Sequence, residues 1–184
     1  MALSQRDDSM TRLSEAELAA AVARGDTHAL AQLYHRRAHE LLAVAYRLLQ
    51  SRADAEDVVH DVFVGLPEAL RRYEERGALG AWLRKVTARV ALMRLRAESA
   101  RRTEPLEEAS VTTTSNAPDD GLTIERALQR LSPSLRAVLV LKEIEGFSHA
   151  EIAELLDISV GASEVRLHRA LRALRALLNP DRSI

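Results

Sequence analysis

The chain of 184 residues contains no cysteine. This excludes a disulfide framework, a thiolate metal site and a thiol nucleophile, and it fits a reducing compartment. Aromatic residues amount to only 3%, although hydrophobic residues reach 47%. Leu, Ala and Val must therefore fill the interior, a composition that favours helix packed on helix and predicts an all-α protein. No stretch reaches the ~18 apolar residues that a membrane span needs, and the opening MALSQRDDSM has no basic segment followed by an apolar one. A cytoplasmic protein without direct membrane insertion is expected. Positive charge is also scarce for a protein that grips DNA alone, since 26 basic residues stand against 27 acidic ones and leave a net charge of -1. Neutralising phosphates supplies most non-specific DNA affinity, so either DNA is not the ligand or it is bound with help.

Acid is concentrated in DAEDVVHDVF, Asp54 to Phe63. At about 100 degrees per residue, Asp54, Asp57 and Asp61 fall along one side of a helix, with Ala55, Val58, Val59, Val62 and Phe63 on the other. The ten residues alone leave open whether the acidic side is solvated or docks a partner. Upstream, SEAE at Ser14–Glu17 offers a capping box, Gly25 a helix stop and Asp26 the cap of a long core helix bearing Leu30, Leu33, Leu41, Leu42, Ala45, Leu48 and Leu49. Gly65 and Pro67 are expected to kink or end the acidic helix. RRYEERGALGAW, Arg71 to Trp82, reads as a loop, and a further helix is expected from about Ala81 to Ala97.

Between Ser99 and Gly121 the apolar periodicity disappears in favour of Ser, Thr, Asn, Pro and acid, which marks a flexible linker. Its 23 residues reach about 75 Å when extended, enough to let flanking domains sit far apart. Helices are expected to resume at Leu122. Ser132 and Pro133 read as cap and first helical residue, and Gly146 ends the helix containing LRAVLVLKEIE. SHAE at Ser148–Glu151 then opens a short helix, DIS makes a turn, and a long helix starts at Val160. Short helix, tight turn and longer helix is the layout of a helix-turn-helix. Leu167, Leu171, Leu174 and Leu178 are expected to form its apolar stripe, while Arg166 and Arg169 are assigned to DNA and Arg172 and Arg175 to surface. A plain helical hairpin with a solvated arginine face remains open at this point.

Taken in order, DAEDVVHDVF, RYEERGALGAWLRKV, the acidic linker and EGFSHAEIAELLDISVGASEVRLHRALRALR resemble the extracytoplasmic-function (ECF) group of bacterial sigma factors, over roughly residues 13 to 178. The resemblance implies two small helical domains, at 13–98 and 122–178, joined by the linker 99–121, with a disordered tail at 1–12 and a short tail at 179–184. It implies that Asp54, Glu56, Asp57 and Asp61 lie on the helix that docks on a basic coiled coil of the RNA polymerase clamp, with the flap as a further contact. Asp54 also suits the positive end of its helix. Arg72, Tyr73, Arg76 and Trp82 would hold an unstacked minus-ten base, a task that needs a cationic, partly aromatic receptor. Lys85, Arg89 and Arg96, within about 40 degrees of one another in helical projection, would follow phosphates. Ser159, Gly161, Ala162, Glu164, Arg166 and Arg169 would read the minus-thirty-five element. The likeness further implies no cofactor, no chemistry of the chain's own, and an anti-sigma inhibitor packed between the domains.

Several positions depart from that pattern. Leu79 stands where an aromatic is common, and Gly65-Leu66-Pro67 replaces a stretch that often holds tryptophan. Arg89 and Met93 replace an asparagine and an aspartate, and Ala162 and Glu164 replace a threonine and a basic residue. Two other classes of function were weighed. One is an HD-type metal phosphohydrolase, suggested by His60-Asp61 and by His35 and His39 one helical turn apart. The other is a one-component helix-turn-helix regulator that binds an operator without polymerase.

Overall fold

A computed structural model of the protein describes residues 13–73, 78–102 and 123–178. The expected tails 1–12 and 179–184, Arg76, and residues 103–121 of the expected linker lie outside the described residues. Every secondary-structure element among the described residues is helical.

The first group has four helices. Helix α1 (Glu15–Ala23) opens with the expected box: the Ser14 hydroxyl accepts from Glu17 N at 3.2 Å, and the Glu17 carboxylate accepts from Ser14 N at 2.7 Å. Asp26 caps α2 (Thr27–Leu49) by accepting from His28 N and Ala29 N. Helix α3 spans Arg52–Leu70 and α4 spans Leu79–Arg102. Helix α2 packs against α1, α3 and α4. Leu18, Leu33, Leu41, Leu48, Leu66, Leu83 and Leu92 are fully buried where these helices meet. Each such leucine contributes about 2 kcal/mol by leaving water. Along one edge, Arg37 bridges Glu15 and Glu40, while Glu40 also accepts from Arg84 at 2.6 Å, so three helices share one run of ion pairs. Burial pushes the Glu40 carboxyl up, but the Arg84 and Arg37 guanidinium groups outweigh it and hold Glu40 below its ordinary value.

The second group comprises α5 (Ile124–Arg130), α6 (Pro133–Leu139), α7 (His149–Leu156) and α8 (Val160–Leu178). Helix α6 widens into a π-turn over Val140–Ile144, which Gly146 ends at φ +75. On α8 the inward positions are Ser163 and Ala170, fully buried, with Leu167, Leu171, Ala173, Leu174 and Leu177 packed at their edge. Leu177 thus takes the place expected of Leu178. Alternating steps of four and three from the buried Ser163 run through 167 and 170 to 174 and 177, so Leu177 falls in the inward register, which the series 167, 171, 174 and 178 flanks.

Two expectations need correction. Pro67 does not break α3, which runs through it to Leu70. The missing proline donor costs a hydrogen bond, yet Val62, Phe63, Leu66 and Leu70 around it are all buried, and that packing holds the last turn. Helix α4 begins at Leu79 and ends at Arg102, so it takes in the end of the expected loop and the first residues of the expected linker. The two groups also touch. Arg136 of α6 donates from Nε to Leu48 O at 3.2 Å, one of the carbonyls that a helix C-terminus leaves unpaired.

Candidate docking and nucleic-acid interfaces

Helix α3 separates its faces as its pattern predicts. Ala55, Val58, Val59, Val62 and Phe63 are buried, while Glu56, Asp57, His60 and Asp61 are exposed. The Ser51 hydroxyl accepts from Asp54 N at 3.3 Å and starts the helix. Arg94 of α4 then reaches across: its Nη2 lies 2.7 Å from Asp54 Oδ1 and 2.8 Å from Asp57 Oδ2. The Ser51 hydroxyl above all holds Asp54 below its ordinary value; burial opposes it, and Arg94 adds to the lowering. Glu56 pairs with Arg52 at 2.8 Å. Of the four acids, Asp61 alone makes no ion pair among the described residues. It rims a groove of about 550 Å³ whose floor includes Val58 and Val90 and whose far side carries Met93, 60% exposed.

At the other end of α3, the Tyr73 and Trp82 rings lie 4.8 Å apart at 45°, both half-buried against the core. The Tyr73 hydroxyl is buried and has no hydrogen-bond partner among the described residues. Arg72 is exposed and lies 3.6 Å from Glu68. A cavity of about 600 Å³ opens beside these rings, with Arg72, Trp82 and Lys85 on one side and Phe147 and Glu151 of the second group on the other. The α4 cations expected to meet phosphate face the same way. Lys85 Nζ is 3.7 Å from Glu151 and 3.9 Å from Glu154, Arg89 Nη2 is 3.9 Å from Glu154, and Arg96 Nη2 donates to Leu155 O at 2.7 Å.

In the second group, Ser148 and Glu151 close the capping box of α7, with the Ser148 hydroxyl accepting from Glu151 N at 3.2 Å and the Glu151 carboxylate accepting from Ser148 N at 2.9 Å. The turn is made by Asp157 at φ 54 and ψ 51, a left-handed conformation that aspartate tolerates better than most residues. The Ser159 hydroxyl accepts from Ala162 N at 3.0 Å and starts α8. His149 Nδ1 meets the buried Ser163 hydroxyl at 2.9 Å, which fixes α7 against α8. The helix-turn-helix is therefore built by local side-chain bonds. Ser159, Gly161, Glu164 and Arg169 are exposed, and Ala162 and Arg166 are half-buried at the flank. Val165, 52% exposed, and His168 lie on the same outer face as Gly161. Sequence reasoning passed over both, although their offsets of four and seven from Gly161 carry the signal.

His35, His39 and His60 are exposed on α2 and α3, and no group of three or more His, Asp or Glu side chains among the described residues is placed to hold a metal ion. No helix there is long and apolar enough to cross a membrane.

Comparison with known proteins agrees with this layout. Residues 33–101 match the family Sigma-70 region 2, and residues 122–174 match Sigma-70, region 4. The chain is 31% identical over 166 residues to the ECF RNA polymerase sigma factor SigM of Mycobacterium tuberculosis, covering 90% of this chain and 85% of that protein. It is 33% identical over 159 residues to the RNA polymerase sigma factor CarQ of Myxococcus xanthus, covering 84% and 91%. Among solved structures, CnrH in complex with the cytosolic domain of CnrY is similar at a TM-score of 0.55 and 30% identity, covering 89% of this chain and 96% of that one. With an acidic helix face in one matched region and a helix-turn-helix in the other, the chain belongs to the ECF family of RNA polymerase sigma factors.

Proposed function

We propose that the chain is an alternative sigma factor that binds core RNA polymerase, directs it to a class of promoters and helps to melt them, while bond-making chemistry belongs to the polymerase. Residues 13–98 form the docking and minus-ten domain in this reading, 99–121 the connector and 122–178 the minus-thirty-five domain. The outer face of α3, with Glu56, Asp57 and Asp61 and with Asp54 at its edge, meets a basic surface of the polymerase. Opposite charge there steers encounter and sets register. Tyr73 and Trp82 receive an unstacked base, Arg72 and Arg76 flank it, and Lys85, Arg89 and Arg96 follow the adjoining phosphates.

The N-terminal end of α8 enters the major groove at the minus-thirty-five element. Ser159, Gly161 and Ala162 allow close approach, Glu164 accepts from a cytosine amino group, and Arg166 and Arg169 supply the cationic contacts. Val165 and His168 share the outer face and extend the reading surface. An anti-sigma protein that engages both helical groups is the expected inhibitor by family analogy, and the similar CnrH has been solved in complex with the cytosolic domain of another protein, CnrY. The site of action is the cytoplasm, where polymerase and promoter are.

The observation that carries this reading is the succession of the two sigma-70 regions in one chain, the first bearing an exposed acidic helix and the second an exposed helix-turn-helix. Run-off transcription with purified core polymerase on genomic fragments tests it. Discrete transcripts that need the added chain support the reading, and absence of any association with core polymerase overturns it.

A further inference from the structure

A glycine inside a helix weakens it, so each one asks for a reason. Gly25 and Gly146 adopt positive φ at helix ends. Gly80 leaves room for Arg37, whose guanidinium would lie 2.9 Å from an added Cβ. Gly161 stands at the end of α8 that the proposed function sends into the major groove. Gly65 has no such account. It lies within α3, is exposed and keeps ordinary helical backbone, and an added Cβ would meet nothing within 4 Å. No contact among the described residues requires a missing side chain there.

Its chain neighbour Val64 is 66% exposed, the most exposed large apolar side chain among the described residues. In helical projection Val64 falls with Asp57, Asp61 and Glu68 inside an arc of about 60 degrees. A bare apolar side chain and a missing one therefore sit together in the acidic face of α3. Asp61, one turn before Gly65, rims the groove whose far side carries the exposed Met93. Water solvates the carboxylates well and the valine and methionine poorly. An apolar centre inside a charged rim is the layout of a protein interface.

We infer that Val64 and Gly65 form the close-contact seam of the docking face, where a basic amphipathic helix of core polymerase crosses α3. Gly65 lets the backbone of that helix approach, Val64 packs into its apolar side, and Asp57, Asp61 and Glu68 set register from the rim. The inference rests on the docking role given to α3 under Proposed function and adds which residues supply the packing and why one of them is glycine.

Charge and shape select this occupant. The acids on the outer side of α3 call for a basic partner, and the distance between two packed helices is set by the side chains at their crossing, so a bare glycine favours a helix at close range. The carboxylates then steer encounter, while the desolvated centre governs how slowly the partner leaves. Pro67, two residues on, offers one internal rival: a glycine that eases the backbone past the proline ring. The two readings predict opposite changes in stability.

Gly65→Ala, Gly65→Gln and Val64→Ala in the full chain test the seam, each read by melting temperature and by affinity for purified core polymerase. Gly65→Ala should raise the melting temperature by about 1 to 4 °C, because alanine suits a helix and restricts the unfolded chain. It should at the same time weaken core association about threefold to tenfold, and the larger glutamine should weaken it more than about tenfold by holding the partner off. Val64→Ala should weaken association about threefold to tenfold, mostly through faster dissociation, with no loss of melting temperature. A gain in stability joined to a loss of binding is a result that a merely structural glycine does not give. Unchanged association in both Gly65→Ala and Val64→Ala overturns the inference. So does a lower melting temperature in Gly65→Ala, which would assign the glycine to Pro67. Asp57→Lys with Asp61→Lys, measured in parallel, distinguishes the two failures. If that reversal abolishes association while the seam variants bind like the parent, the seam alone is wrong; if the reversal also binds like the parent, the docking role of α3 falls as well.

Discussion

Arg94 and Asp57 meet at 2.8 Å across the groove between α4 and α3, and the same guanidinium nitrogen lies 2.7 Å from Asp54. Part of the acidic face is therefore neutralised from within the chain before any partner arrives. Burial plays little part in these pairs, so Arg94→Ala should change stability by less than ~1 kcal/mol. It should also free two carboxylates for a basic partner. Association with core polymerase is expected to tighten by about threefold to tenfold, measured by fluorescence anisotropy at low salt, where steering is strongest. Weaker association would mean that Arg94 itself touches the polymerase.

Reversing charge on the exposed side of α3, at one carboxylate that Arg94 holds and one that it does not, is the complementary change. Asp57→Lys with Asp61→Lys should abolish core binding and leave the helical circular dichroism signal unchanged, because both side chains are exposed. Retained binding would remove the docking role assigned to α3.

On α8, Arg166→Ala with Arg169→Ala should weaken promoter capture and spare core association. A bidentate base contact is worth about 1–3 kcal/mol, and loss of a phosphate contact lowers the salt dependence by about one unit instead. Gel shifts of the holoenzyme over a salt series separate these outcomes. Equal loss of core binding would indicate a folding defect.

The Tyr73 hydroxyl is buried with no partner among the described residues, whereas its ring packs on Trp82. Tyr73→Phe should leave stability within ~1 kcal/mol of the parent or raise it, because it removes an unsatisfied polar atom. Trp82→Ala should cost about 3 kcal/mol, as large aromatic truncations do. If the hydroxyl is kept for a base, Tyr73→Phe should slow promoter opening by about threefold to tenfold with no change in melting temperature. Permanganate footprinting of the opened strand supplies that measurement.

Stability should fall as pH drops from about 6 to about 3. Asp26, Glu17, Glu40, Asp54 and Glu151 are all held below their ordinary values, so each contributes stability above the ordinary carboxylate range and loses it as pH falls through its lowered value. Glu145 acts in the opposite sense. Burial raises it, so its contribution is present at low pH and lost as pH rises through the raised value. Five opposing carboxylates outweigh it, and melting temperature followed by circular dichroism should decline towards acid. In Glu145→Gln the acid decline should be steeper.

Local chemistry was the part most easily read from residue order. The boxes at Ser14–Glu17 and Ser148–Glu151, the aspartate cap at Asp26 and the acidic face of α3 each depend on neighbours within one or two turns. Pro67 was misjudged because its intrinsic cost is local, whereas the burial of Phe63, Leu66 and Leu70 that overrides it is not. Arg136 on Leu48 and Lys85 beside Glu151 lay beyond reach for a related reason. They join residues far apart in the chain, and no periodicity records which face of one helix will meet another. The stripe of Lys85, Arg89 and Arg96 was correctly grouped on one side of α4, but its occupation by α7 was not foreseen.

A guanidinium contributed by α6 finishes the last turn of α2, through the bond from Arg136 to Leu48. That terminus is thus completed by a residue 88 positions away, and it frays whenever its distant neighbour withdraws. Amide exchange just after Leu48 becomes a built-in gauge of whether the molecule is shut, legible in the unlabelled protein.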